Sequence, residues 1–191
     1  IVAAYAKIIP KEVLGVPRLG SIGVHPSLLP KYRGATPIQS AILAGEEKTG
    51  VTLFLMDEKV DHGPILAQRE LEFSIFNFQF LMLQQKLAEL GANLLIETLP
   101  KFIKGEIVPE IQDEAVATYT KKFTSEDGFI PPEDLEAVIS GNSPGKAVEI
   151  DRKMRAFNPE PGVWTIQNDK RVKLLETVIV SNKLILKKIQ E

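Results

Sequence analysis

The spacing of apolar residues changes several times along the chain, and each change predicts an element. Ile1 to Ala4 is uninterrupted apolar sequence without helical spacing, which predicts a short, fully buried strand. Pro10 opens a brief helix near Lys11–Leu14, since proline suits a first helical turn, and Gly15, Pro17 and Gly20 stop it. Ser21–His25 is a second apolar strand that runs into a loop punctuated by Pro26, Pro30 and Gly34. Thr36 reads as a helix cap with Pro37 at the first helical position, and PIQSAILA carries helical periodicity up to Gly45. VTLFLM is apolar on both faces, as expected of a central strand, whereas Ile65–Phe73 alternates like a half-exposed strand near a sheet edge. Leu83, Leu87, Leu90 and Leu94 mark a long helix over about Phe78–Leu99, which Pro100 should break.

Beyond it, Gly105 and Pro109 begin an extended linker, and the pattern then changes character. Pro131 and Pro132 open a helix toward Ile139, and a second helix, Lys146–Phe157, turns Val148, Ile150 and Met154 inward. Three short strands follow, Trp164–Gln167, Val172–Val180 and Leu184–Ile189, joined by turns at Asn168–Asp169 and Ser181–Asn182. The expected class is therefore α/β: a partial, open, Rossmann-like sheet in residues 1–103, a linker over 104–118, and a smaller β-rich, OB-like barrel over 119–191.

Composition narrows the chemistry. The chain of 191 residues has no cysteine and two histidines, so disulfides, thiolate nucleophiles and Cys-ligated zinc are excluded, and a His-rich metal cluster is not expected. A formal net charge of −2 does not indicate a globally basic nucleic-acid binder, although a local basic face is compatible with it. No apolar run reaches the roughly 18 residues that span a bilayer, and the opening IVAAYAKIIP lacks a secretory pattern, so a cytoplasmic location is expected. A chain that opens in a buried strand without an initiator methionine reads as a fragment, with open strand edges and a poorly folded first domain.

Candidate chemistry gathers at strand ends. His25 follows the second strand, Asp57 the third, and Asp61 with His62 precede the fourth; neighbouring strands would bring His25 and one carboxylate to the same rim. A carboxylate fixes a histidine's tautomer and favours its charged form, so such a pair can stabilise an oxyanion and carry a proton. Glycine-rich dinucleotide and phosphate loops are absent, and Ser27 lacks a nucleophile elbow. Lys170, Arg171 and Lys173 sit on one hairpin and Lys183, Lys187 and Lys188 on the next, and together they form a candidate phosphate-tracking surface. His62, Phe76 and Trp164 are read as structural.

HPSLLPKYRGATPIQSAILAGEEKTGVTLFLMDEKVDHGPIL resembles the core of the folate-dependent formyltransferases, with the S-L-L-P-x-x-x-G loop followed by a D-x-G turn. That core is shared by methionyl-tRNA, glycinamide ribonucleotide and sugar-nucleotide formyltransferases. TYTKKFTSEDGFI, IDRKMRAFNPEPGVWT and the strands after them resemble the linker and C-terminal tRNA-binding domain of the methionyl-tRNA branch. The resemblance implies transfer of a formyl group from 10-formyltetrahydrofolate to the amine of initiator methionyl-tRNA. By the same resemblance His25 stabilises the oxyanion, Asp61 orients it, and Ser27, Leu28, Leu29 and Pro30 with the turn Glu58–Asp61 contact the folate. The family pattern has asparagine two residues before the histidine, where this chain has Gly23. Loss of one oxyanion donor costs about 10²–10³ in rate, so Gly23→Asn in a full-length context is expected to raise kcat by at least about tenfold; a sugar-nucleotide formyltransferase, or a catalytically weakened folate- or RNA-binding relative, is the alternative.

Overall fold

The computed structural model describes residues 1–5, 7–73 and 78–190. In the first half, β1 (Val2–Ala3), α1 (Lys11–Leu14), β2 (Ile22–His25), α2 (Pro37–Ala44), β3 (Lys48–Leu55), β4 (Ile65–Glu72) and α3 (Phe80–Ile103) follow one another. The strands form one sheet in the order β1-β2-β3-β4, with β1 parallel to β2 and the other two pairings antiparallel. Side chains alternate between its faces. Ile22, Val24, Val51 and Leu53 turn toward α3, whose Leu83, Leu87 and Leu94 are buried. Gly23, His25, Thr52 and Phe54 occupy the opposite face, in register across β2 and β3.

The first strand is shorter and less buried than its composition predicts. β1 lies at a sheet edge, and Ile1 is 66% exposed. Among the described residues β1 pairs with β2 alone, which leaves its apolar side chains without cover. Pro100 also fails to end α3 and sits within its last turn. The amide it lacks would have bonded the carbonyl of Ile96, a residue on the solvent side of the helix. Thr36 precedes α2 as expected but makes no side-chain cap; its hydroxyl donates to the Lys121 carbonyl instead.

The expected linker is docked along the first sheet. Ile65 and Glu110 exchange backbone hydrogen bonds of 2.7 and 2.8 Å, and Arg33 pairs with Tyr119 in an isolated parallel bridge. The second half then supplies α4 (Pro132–Ser140), α5 (Pro144–Phe157), β5 (Val163–Gln167), β6 (Lys170–Val180) and β7 (Lys183–Gln190). Both hairpin turns have two residues at positive φ, Asn168–Asp169 and Ser181–Asn182, which matches the twist of antiparallel strands. Among the described residues this second sheet is three antiparallel strands, an open portion of the barrel expected. Ile38 and Ile42 of α2 share one apolar cluster with Ala147, Ile150 and Met154 of α5, so the two halves have a common core.

Candidate active site

His25 ends β2 on the face opposite α3 and is 6% exposed. Its Nε2 lies 2.9 Å from the Tyr32 carbonyl, which can only accept, so Nε2 carries the hydrogen. Nδ1 faces Oδ2 of Asp61 at 3.6 Å. Burial pushes the imidazole below its ordinary range, and the Asp61 charge and the Tyr32 carbonyl oppose that shift. Asp61 Oδ2 also accepts the Gly34 backbone N–H at 2.7 Å. Gly34 has φ +108°, and a side chain there would strike Thr120, so this donor position requires glycine.

The route by which His25 meets a carboxylate differs from the one expected. β2 and β3 are neighbours but antiparallel, with Ile22 opposite Leu55 and His25 opposite Thr52. Residues following β3 therefore start at the far end of β2, and a shared rim does not exist. The turn after β3 folds back along the sheet face to deliver Asp61, whose φ is +47°. Asp57 stays behind, and its Oδ2 lies 2.6 Å from Nδ1 of His62. His62 Nε2 in turn lies 3.5 Å from Glu114, so this second histidine has carboxylates on both sides.

The loop after His25 is held from within. Ser27 is fully buried, its hydroxyl donating to the Lys31 carbonyl at 2.6 Å and its carbonyl accepting from the Thr52 hydroxyl at 2.7 Å. Leu29 is also buried; its N–H reaches Thr52 Oγ1, and its carbonyl accepts from Gln68. Leu28 and Pro30 retain surface, as do Glu58, Lys59 and Val60 of the turn. Lys11, the first residue of α1, pairs with Glu58 of that turn.

Residues 1–99 match the formyl transferase family model, and residues 145–187 match the model of the formyl transferase C-terminal domain. The chain belongs to the formyl transferase family. Two relatives named methionyl-tRNA formyltransferase illustrate the likeness. That of Roseiflexus sp. (strain RS-1) is 40% identical over 183 residues, 96% of this chain and 53% of the relative. That of Kosmotoga olearia is 43% identical over 182 residues, 95% of this chain and 55% of the relative. The formyl transferase chain thus spans about half the length of these curated relatives. Two solved structures share the fold. Methionyl-tRNA formyltransferase from Clostridium thermocellum has a TM-score of 0.68 and 21% identity, over 97% of this chain and 74% of its own. HypX from Aquifex aeolicus in complex with tetrahydrofolic acid has a TM-score of 0.66 and 24% identity, over 82% of this chain and 25% of its own.

At Gly23, where the formyl transferase pattern noted above has asparagine, a Cβ would stand 2.4 Å from Cε1 and 2.6 Å from Cζ of Phe54. The ring occupies the space of the missing side chain, and at 2% exposure it has little room to yield. The simple expectation for Gly23→Asn is therefore corrected: the amide fits only where the ring at position 54 moves or shrinks.

Several members of the site escape sequence reading. Arg33 is fully buried, and its guanidinium bonds Gln112 Oε1, both oxygens of Glu114 and the Tyr119 hydroxyl, all within 3.1 Å. A charged residue inside a proline-rich loop was the one available signal, and nothing in the linker pointed to Gln112. Of the cations singled out on the second sheet, Arg171 stacks over Trp164 at 4.2 Å and donates to Ser125 Oγ. The five lysines are exposed. Phe76 lies outside the described residues. No group of three or more metal-ligating side chains occurs among the described residues, and none of their helices is long and apolar enough to cross a membrane.

Proposed function

We propose that this chain carries out the central chemistry of a methionyl-tRNA formyltransferase, moving a formyl group from 10-formyltetrahydrofolate to the amine of initiator methionyl-tRNA. The observation that carries the reading is the approach of the His25 imidazole to Asp61 at 3.6 Å on the sheet face opposite α3. The acceptor is argued from the relatives at about 40% identity, whose likeness runs through the second sheet as well as the first. Such a substrate places the reaction in the cytoplasm.

The amine nitrogen adds to the formyl carbon, the bond from that carbon to the folate nitrogen breaks, and one amine proton ends on the departing nitrogen. Negative charge gathers on the formyl oxygen between these events. His25 answers that charge when its Nε2–H exchanges the Tyr32 carbonyl for the substrate oxygen. Asp61 holds Nδ1 and supports the imidazolium that stabilises the intermediate. For the folate, Leu28 and Pro30 offer apolar surface beside His25, and the exposed turn residues Glu58, Lys59 and Val60 offer polar partners. Ser27 and Leu29 serve by shaping the loop, because their polar groups are already bonded.

A second reading, slow transfer with intact binding, is favoured by the Phe54 ring in the place of an oxyanion donor. Formyl transfer measured on the full gene product, with methionyl initiator tRNA and a dTDP-amino sugar as competing acceptors, tests both. Formyl-methionyl-tRNA as product supports the first reading. Folate binding with transfer reduced about 10²–10³-fold against an asparagine-bearing relative supports the second. Transfer to the sugar alone overturns both.

A further inference from the structure

The His25 ring has a hydrogen-bonded neighbour at Nε2 and a carboxylate 3.6 Å from Nδ1, and each is held from outside by the same stretch of chain. On the Nε2 side, Tyr32 presents the carbonyl. The backbone N–H of Tyr32 donates to Thr118 Oγ1 at 2.8 Å, Arg33 N–H donates to the Thr118 carbonyl at 2.9 Å, and Thr118 N–H donates to the Pro30 carbonyl at 3.2 Å. On the Nδ1 side, Gln112 Nε2 donates to the carbonyls of Asp61 and Gly63 at 3.0 and 2.7 Å. These bonds fix the turn at a residue whose positive φ is otherwise unfavourable.

Arg33 anchors the arrangement. Its buried guanidinium holds Gln112 Oε1 through two nitrogens, leaving the amide NH₂ of Gln112 aimed at the Asp61 turn. Both ends of Gln112 are therefore committed, and the residue is 6% exposed. A side-chain amide is suited to this position because it accepts from a cation at one end and donates to two carbonyls at the other.

We propose that residues 110–121 act as a positioning strap for the His25–Asp61 pair, with Gln112 holding Asp61 and Thr118 holding Tyr32. The inference rests on the reading of that pair as catalytic, and the strap residues act through it without touching substrate.

The test follows His25 by histidine ¹³Cε1 NMR titration of the full gene product, with the signals of His25 and His62 identified by substitution to Gln. Asp61→Asn serves as reference and lowers the His25 midpoint by about 1–3 pH units. Gln112→Leu and Thr118→Val each lower it by about 0.5–1 unit, because each loosens a group that favours the charged ring. Thr118→Ser, which keeps the hydroxyl, restores the wild-type midpoint, and the Thr118 variants leave His62 where it was. In the transfer assay both damaging variants lower kcat with KM nearly unchanged. Thr118 is exposed, so its variants fold even where Gln112→Leu does not and then decide the matter alone. Folded strap variants that titrate as wild type, while Asp61→Asn shifts His25, overturn the strap only. An unmoved His25 in Asp61→Asn overturns the pair and the strap with it.

Discussion

Gly23→Ala is the smallest change that tests how the site face is packed. The backbone at this position is ordinary strand, so alanine brings no conformational strain, only a methyl group 2.4 Å from the Phe54 ring. The ring is buried and must shift by about 1 Å to restore normal contact. Overpacking of this kind costs about 1–3 kcal/mol, offset by about 0.4–1 kcal/mol from the reduced freedom of the unfolded chain. For a protein of this size each kcal/mol moves Tm by about 2–4 °C, so Gly23→Ala should melt several degrees below wild type. Phe54→Leu alone leaves a cavity and costs about 1–2 kcal/mol. Together the two changes relieve one another, and a double-mutant cycle followed by circular dichroism should give a favourable coupling of about 1 kcal/mol or more. Additive losses, agreeing within about 0.5 kcal/mol, would falsify the claim that ring and glycine share one space. The same logic governs activity: Gly23→Asn alone leaves kcat unimproved, whereas Gly23→Asn with Phe54→Leu raises it by at least about tenfold.

Stability should fall with acidity through His25. Its folded pKa lies below its unfolded value near 6.5, so the unfolded chain binds more protons in between. The contribution is complete above pH 6.5 and is lost as pH falls toward the folded pKa; His25→Gln should flatten that part of a Tm–pH curve. Arg33→Ala should cost about 1–3 kcal/mol in a urea titration, because it leaves the buried Gln112 Oε1 without its donors, while the exposed Glu114 is left to solvent. On the second sheet, Lys173→Ala and Lys187→Ala should each reduce the salt slope of tRNA binding by about 0.7–0.9. Arg171→Ala should instead lower Tm, since its guanidinium already stacks on Trp164 and bonds Ser125. Equal salt slopes for wild type and the lysine variants would remove those lysines from the interface.

What the amino-acid sequence determined by itself is local. Apolar spacing marked α2, α3 and α5, and Asn168–Asp169 and Ser181–Asn182 marked two hairpins whose turns need residues tolerant of positive φ. His25 and Asp61 were legible as candidates through the motifs around them. Tertiary structure alone decided how they meet: antiparallel pairing of β2 and β3 leaves Asp57 at the wrong end, and only a turn folded back along the sheet carries Asp61 to the imidazole. The same holds for Phe54 against Gly23 and for Gln112 between Arg33 and the Asp61 turn. Those contacts join residues far apart in the chain, and periodicity records which face a residue occupies, never which distant side chain is opposite it.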